Sequence, residues 1–329
     1  MEIKKILTFR ASSIGDCLMG KYLLENVRAL HPRARCTLAV SSRADMIRDL
    51  FSAYPWIEVA EVHKNLHSLW KFFRQGRYDV VVTPYTGGVF ALAPKIVARL
   101  TARTLIGYTD ASKLNRFLYT KLIPLIGRER APRLLESDAL NAIGASVSIE
   151  HPTFQYLPQP HLLERLGLKK GNYIVVHLFS GGNARGLSPQ KKHSLINALK
   201  NVLPESMQLV LTGSDKERKS LEEELTSQVV SASTSLQELA WLIDASAGMV
   251  SLDTGAAHIA AHMKKPLIVL ASCVGVQWWS SDMYGTSMPK NLFTRLDVCT
   301  EGHDYSGYAK CLEAIDDGAV IEAAKNFFV

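Results

Sequence analysis

Three turns in this sequence combine the residue types that proton transfer and phosphate binding require. The first is RASSIGD (10–16), between the apolar run KKILTF (4–9) and a stretch with helical patterning. Gly15-x-x-x-x-Gly20-Lys21 has the spacing of a phosphate-cradling P-loop in the strand-to-helix context that motif needs. The eighth position, where Ser or Thr would hold magnesium, is Tyr22, and Asp16 sits where phosphates would have to lie. A carboxylate at a helix N-terminus stays ionised and can take a proton from a substrate hydroxyl, so Asp16 suits general-base work. The same residues also read structurally, with Ser13-x-x-Asp16 as a capping box.

The second turn is LFSGGNARGLSP (178–189). Ser180, two glycines beginning at Gly181 and a basic Arg185 precede a helix start, so amides, a hydroxyl and a cation can converge on an anion. The bland alternative is a flexible connection with Arg185 solvated. The third turn is SLDTGAAHIAA (251–261), where a strand ends at Asp253, Thr254 and Gly255 begin a helix, and His258 lies one turn in. A diphosphate at that helix end would meet free N–H groups, the Thr254 hydroxyl and the imidazole. Against this stands the reading of His258 as a packed, hydrogen-bonded helix residue.

Other chemistries lack their signatures. No G-x-G-x-x-G follows a strand, no D-x-D pair would chelate a metal on a sugar diphosphate, and no G-x-S-x-G elbow occurs. Asp253-Thr-Gly resembles the aspartic-protease triplet, but that all-β fold needs two and one is present. Glu222 to Glu224 and Asp316-Asp317 read as solvated helix faces.

The elements that position these turns alternate β-rich runs with amphipathic stretches, the pattern of parallel α/β domains. In the first half, strands are expected at 4–9, 35–40, 58–62, 78–84 and 104–108, with helices at 16–30, 43–52 and 65–76. A Pro-containing linker is expected around 148–160, closed by a short helix. The alternation then restarts with NYIVVHLF, MQLVLTG, GMVSL and PLIVLAS as strands, and with Ser188-Pro189 announcing a helix. Two similar α/β halves imply a cleft lined by strand C-termini and helix N-termini.

The chain has 329 residues, enough for two domains, and its 47% hydrophobic and 21% charged composition fits a globular protein with a large core. Five cysteines with no C-x-x-C pair argue for a reducing compartment and against a disulfide framework or a structural zinc. No signal-peptide core or membrane-spanning run is visible, so the expected location is cytoplasmic. A net charge of +7 points to an anionic partner, and nucleic acid is disfavoured by the lack of zinc-finger spacing, RNA-binding aromatics or a long basic block.

Taken together, ILTFRASSIGDCLMGKYLLENVRALHP and SLQELAWLIDASAGMVSLDTGAAHIAAHMKKPLIVL resemble the opening and the most distinctive block of the bacterial ADP-heptose:lipopolysaccharide heptosyltransferases, glycosyltransferase family nine. RGLSPQKKHSLINAL, LVLTGSDKERKSLEEEL and CLEAIDDGAVIEAA fall in the family's order, so the resemblance covers nearly the whole chain. It implies a GT-B architecture of two facing Rossmann-like domains. The N-terminal one (1–155) would bind acceptor, the C-terminal one (156–310) would bind nucleotide-sugar, and a last helix (311–329) could pack back on the first. It implies an inverting, metal-independent transfer with Asp16 as base on the acceptor hydroxyl.

By the same resemblance Thr254, Gly255 and His258 contact the donor phosphates, Asp253 holds a donor-sugar hydroxyl, and Ser180, Gly181 and Arg185 form the diphosphate loop. Ser214 and Glu217 match the nucleoside turn loosely. Ser13, Lys64 and Arg116, with the basic Lys71, Arg74, Arg77 and Lys113, fit a phosphorylated glycolipid acceptor at the inner face of the inner membrane. The implied co-substrate is ADP-heptose, with no cofactor. Two departures stand out: RGLSP replaces the usual K-x-W-P, and ASCVGVQWWSSDMYG stands where many members have a G-P-T turn. Another nucleotide sugar or glycan acceptor on the same fold, or a catalytically silent nucleotide-sugar binder, are the competing readings.

Overall fold

The computed structural model describes residues 2–63, 65–83, 92–108, 115–124, 130–221, 228–300 and 302–328. The chain separates into two compact units, residues 1–153 and 154–329. Each is built on a six-stranded, wholly parallel sheet.

In the first unit the strands are β1 (Lys5–Arg10), β2 (Arg35–Val40), β3 (Ile57–Glu61), β4 (Val80–Val82), β5 (Thr104–Tyr108) and β6 (Lys121–Ile123), in the order β3-β2-β1-β4-β5-β6. In the second they are β7 (Tyr173–His177), β8 (Gln208–Thr212), β9 (Val229–Ala232), β10 (Gly248–Leu252), β11 (Leu267–Leu270) and β12 (Lys290–Phe293), in the order β12-β11-β10-β7-β8-β9. The central strands are continuous runs of Ile, Leu and Val with almost every residue buried, because helices cover both faces of a parallel sheet. β6, β9 and β12 escaped the sequence reading. All three are short edge strands, and β12 is only half-buried along its length, so none carries a strong apolar signal.

The P-loop-like spacing at 15–21 proves to be a packing device. The helix Ile14–Leu30 lies against β1 and β2, and Gly20 gives Arg10 room to cross it. A Cβ at position 20 would stand 2.9 Å from Arg10 Nε and 3.0 Å from Leu38 Cδ1. Lys21 is fully buried: its ammonium bonds Glu25 Oε2 at 2.6 Å and the Thr153 carbonyl at 2.5 Å, and stands 4.8 Å from the centre of the Tyr54 ring. Asn26 Oδ1 accepts from the N–H groups of Ser148 and Ile149, both at 2.8 Å, and Tyr22 reaches the Glu150 carbonyl. Residues 148–153, expected as linker, are therefore pinned to this helix. Beyond them, Tyr156 donates to Asp244 Oδ2 at 2.6 Å, and the Leu157 N–H donates to Gln237 Oε1 at 2.6 Å, both acceptors lying in the second unit. The short closing helix is Pro160–Arg165.

The buried face of the last helix, Asp317–Phe328, is spent on the second unit: Val320, Ala324 and Phe328 complete that unit's core. Asp317 is more than a solvated acid, since it takes the Lys191 ammonium at 2.6 Å, while Asp316 caps the N–H groups of Gly318 and Ala319. Glu222 to Glu224 lie outside the described residues.

Candidate functional site

In the first unit the strand order reverses between β1 and β4, and the turn after β1 carries Asp16. In open α/β sheets ligands bind outside the strand C-termini at such a reversal. Ser12 takes a left-handed backbone conformation (φ 57°) and its Oγ receives the Ser42 N–H at 3.2 Å, which fixes the turn's path. Ser13 caps the helix, its Oγ accepting the Asp16 N–H at 3.2 Å and donating to Asp16 Oδ2 at 2.7 Å. Asp16 thus sits half-buried in the first turn, within the capping contacts expected of the motif. The cap orients the carboxylate and the helix end favours its charge.

Beneath the turn, Arg10 Nη2 donates to Glu136 Oε1 at 2.7 Å, with both side chains at 1% exposure or less. Burial pushes the Glu136 carboxyl up to about 7, the Arg10 charge pulling the other way and the Asp16 charge adding to the rise. Burial is also the main cause that raises the neighbouring Cys17 thiol, so it stays protonated. This buried pair was not read from the sequence: Glu136 stands 126 residues from Arg10 on the helix Pro132–Ala142.

In the second unit the order reverses between β7 and β10. The loop after β7 carries Ser180, Gly181 and Arg185, and the turn after β10 carries Asp253, Thr254 and Gly255, so these two turns follow adjacent strands. Among the described residues nothing lies within 4 Å of where a Cβ on Gly181 or Gly182 would stand, Ser180 Oγ donates to the Gly182 carbonyl at 2.8 Å, and Arg185 is exposed.

Thr254 occupies the N-cap of the helix Gly255–His262 but makes no side-chain cap bond; its hydroxyl lies 3.3 Å from Ser251 Oγ instead. The first N–H groups of that helix are therefore left by their cap residue to other acceptors.

His258 is buried, with its two nitrogens placed 2.7 Å from the Tyr284 hydroxyl (Nδ1) and 3.4 Å from Asp253 Oδ1 (Nε2). Burial, with the Asp253 charge, raises the Tyr284 phenol well above its ordinary range, so the hydroxyl is retained. With Tyr284 donating to Nδ1, the Nε2–H tautomer of His258 donates toward Asp253. Trp279 stacks on the imidazole at 4.7 Å and 4°, and its indole N–H donates to Asp253 Oδ1 at 3.1 Å. Gly275 faces the other oxygen so closely that a Cβ there would be 1.9 Å from Asp253 Oδ2. His258 is thus packed and hydrogen-bonded within the second unit. What it orients is Asp253.

Trp279 and Tyr284 both belong to ASCVGVQWWSSDMYG, the segment that departs from the family pattern. They were missed because a contact across 26 residues has no spacing rule.

Ser214 and Glu217 satisfy each other. Glu217 Oε2 accepts from the Ser214 N–H at 2.8 Å and from its hydroxyl at 2.6 Å, a closed capping box on the helix Asp215–Lys219. Below it, His177 Nδ1 lies 3.0 Å from Thr212 Oγ1, and burial holds the imidazole down to about 4 against the pull of Glu217. Of the basic residues assigned to an acceptor, Lys71, Arg74 and Arg77 are exposed on and just beyond the helix Leu66–Gly76. Lys64, Lys113 and the Arg116 side chain lie outside the described residues.

Cys273, Cys299, His303 and Cys311 bring their ligand atoms within 4.8 Å of one another, a grouping with no C-x-x-C spacing to mark it in the sequence.

The sequence model of Glycosyltransferase family 9 (heptosyltransferase) matches residues 191–271. Lipopolysaccharide heptosyltransferase 2 of Escherichia coli (strain K12) is 25% identical over 301 residues, covering 81% of this chain and 82% of its own length. Among solved structures, the E. coli ADP-heptose LPS heptosyltransferase II superposes with a TM-score of 0.72 at 20% identity, over 98% of each chain. The E. coli heptosyltransferase WaaC with ADP superposes with a TM-score of 0.67 at 17% identity, over 97% of this chain and 99% of that one. The fold is that of the GT-B heptosyltransferase structures. The matched block in the second unit, the curated relative and the shared fold all point the same way, and the chain is similar to the heptosyltransferase glycosyltransferases.

Proposed function

We propose that this chain transfers a heptose, with inversion, from ADP-heptose to a hydroxyl of a lipopolysaccharide core acceptor. In this reading the Asp16 carboxylate takes the acceptor proton while the acceptor oxygen bonds the anomeric carbon. The bond from that carbon to the diphosphate breaks, its electron pair leaving on the phosphate oxygen. Arg185, the amides beside Ser180 and Gly181, and the open N-terminus at Thr254 and Gly255 would take up that charge, which leaves the chemical step no need of a metal. Asp253, held by Trp279 and His258, would accept a hydroxyl of the donor sugar.

The observation that carries the reading is the placing of the 180–185 loop and the Asp253–Gly255 turn after adjacent strands at the sheet's reversal. ADP is named for the bound WaaC structure, and ADP-heptose for heptosyltransferase II. Ser214 and Glu217 would shape the nucleoside end from the next turn along. The domain roles follow: acceptor on residues 1–155, donor on 156–310, with the last helix completing the donor unit.

A peripheral place at the cytoplasmic face of the inner membrane is proposed with it. Among the described residues no helix is long and apolar enough to cross a membrane. Yet Leu92, Ile96 and Leu100 line an exposed stripe at i, i+4, i+8, and Leu66 and Trp70 are exposed on the helix packed beside it. Lys71, Arg74 and Arg99 are exposed on the same two helices. An apolar patch bordered by cations suits an anionic lipid surface.

The test is a thermal-shift titration with ADP, UDP, GDP and CMP, with and without added magnesium. A ligand at 100 times its Kd adds about 2.7 kcal/mol to apparent stability. Selective stabilisation by ADP that magnesium leaves unchanged is expected. Preference for another nucleotide changes the donor, and no response to any of the four moves the chain to a silent relative.

A further inference from the structure

We propose that Cys273, Cys299, His303 and Cys311 form a tetrahedral site for one thiophilic divalent metal ion, zinc above all, whose role is to fasten the 184–188 segment of the donor loop. Three thiols and an imidazole are the donor set of closed structural zinc sites. A tetrahedral zinc with bonds of about 2.3 Å to sulfur separates its ligand atoms by roughly 3.8 Å. The four ligand atoms here lie within 4.8 Å of one another, and His303 Nδ1 is 3.1 Å from Cys273 Sγ, so small side-chain rotations close the site.

The imidazole has the partner that a metal-bound histidine needs. His303 Nε2 lies 2.6 Å from the Ala184 carbonyl, so the N–H is on Nε2 and the Nδ1 lone pair faces the thiols. A histidine packed only for stability has no need to aim its unprotonated nitrogen into three sulfurs. A bound cation takes the cysteine sulfurs as thiolates.

The four ligands come from separate places along the chain. Cys273 follows β11, Cys299 ends the short turn of helix Leu296–Cys299, His303 lies in the loop beyond it, and Cys311 belongs to the helix Lys310–Glu313. The same segment grips the donor loop three times. His303 meets the Ala184 carbonyl, the Ala309 N–H donates to the Gly186 carbonyl at 3.3 Å, and Glu313 takes the Ser188 N–H at 2.6 Å and its hydroxyl at 2.8 Å. Cys273 is also two residues from Gly275, which packs on Asp253. A metal here ties residues 299–313 to β11 and so holds both donor turns in place without touching substrate. The remaining cysteines, Cys17 and Cys36, are buried in the first unit and take no part.

The test is elemental analysis of the whole chain, purified under reducing conditions without chelator, followed by removal of metal and titration with cobalt(II). One zinc or iron per chain, and cobalt spectra with thiolate charge-transfer and tetrahedral d–d bands, are expected. Cys299→Ser and His303→Ala should each lower metal affinity at least tenfold and the melting temperature with it. Cys299 is half-buried whereas Cys311 is buried, so its substitution is chosen to disturb the core less. Metal removal should weaken ADP binding several-fold, and zinc should restore it. Less than a tenth of an equivalent after zinc reconstitution overturns the proposal, as does saturating zinc that leaves Cys273 and Cys299 open to alkylation, or a disulfide between them in the reduced preparation.

Discussion

The Trp279 indole N–H donates to Asp253 Oδ1 over 3.1 Å, while its ring lies flat on His258. One side chain therefore fixes both members of the Asp253–His258 pair. Trp279→Phe keeps a ring on the imidazole and removes the donor. A hydrogen bond to a charged group contributes about 1.5–3 kcal/mol, so the donor-sugar KM should rise about tenfold or more. The melting temperature should fall by only a few degrees. Steady-state kinetics beside a thermal melt check this, and an unchanged KM would remove Asp253 from sugar binding.

Asp16→Asn keeps the shape of the first helical turn and removes the base. The transfer rate should fall by roughly 10²–10⁴-fold, the worth of a general base, with ADP binding unchanged. Ser13→Ala loses both the cap and the bond to Oδ2, so it should cost about 1 kcal/mol in stability as well as activity. Single-turnover rates and urea midpoints separate the two effects. A rate for Asp16→Asn within twofold of the parent would end the base assignment.

Lys21 and Gly20 offer a direct test of what the P-loop-like spacing is for. Lys21→Ala leaves Glu25 and the Thr153 carbonyl without their buried cation and should cost about 3 kcal/mol. Gly20→Ala drives a methyl group into Arg10 and Leu38 and should cost about 1–3 kcal/mol. Neither should change ADP affinity. A selective loss of ADP binding in either variant would restore the nucleotide-loop reading.

Acid should weaken the second unit through His177. Its folded value of about 4 lies below the ordinary 6.5, so as pH falls the unfolded chain takes up the proton first. The stability this group contributes is complete above pH 6.5, declines between 6.5 and 4, and is gone below that. The loss amounts to about 3 kcal/mol. Urea midpoints of the parent and His177→Gln at pH 7, 5.5 and 4.5 test it, and the variant should lose less across that range. Parallel curves would remove His177 as the source.

The exposed stripe Leu92–Ile96–Leu100 and its neighbour Trp70 should respond to lipid. Sedimentation with vesicles containing an anionic lipid is expected to carry the chain down at low salt. Ile96→Asp with Leu100→Asp should reduce that binding about tenfold and leave ADP stabilisation intact. Equal binding to neutral vesicles would point to the apolar side chains alone, without Lys71, Arg74 and Arg99.

What the sequence determined by itself is what lies close along the chain. The alternation of short apolar runs with amphipathic stretches gave the central strands, because a parallel strand covered on both faces must be apolar throughout. The Ser13 cap with Asp16, and the Asp253-Thr-Gly turn at the end of β10, follow from local rules of helix entry. What the tertiary structure decided are meetings across many residues: Arg10 with Glu136, Lys21 with Thr153, His258 with Tyr284, and the four ligands from Cys273 to Cys311. It also decided the edge strands β6, β9 and β12, whose partners rather than their own composition make them strands. The reason is physical. A helix cap or an apolar run has its free energy written in neighbouring residues, whereas a buried charge or a metal-ligand set is stable only once folding has brought a distant partner to it.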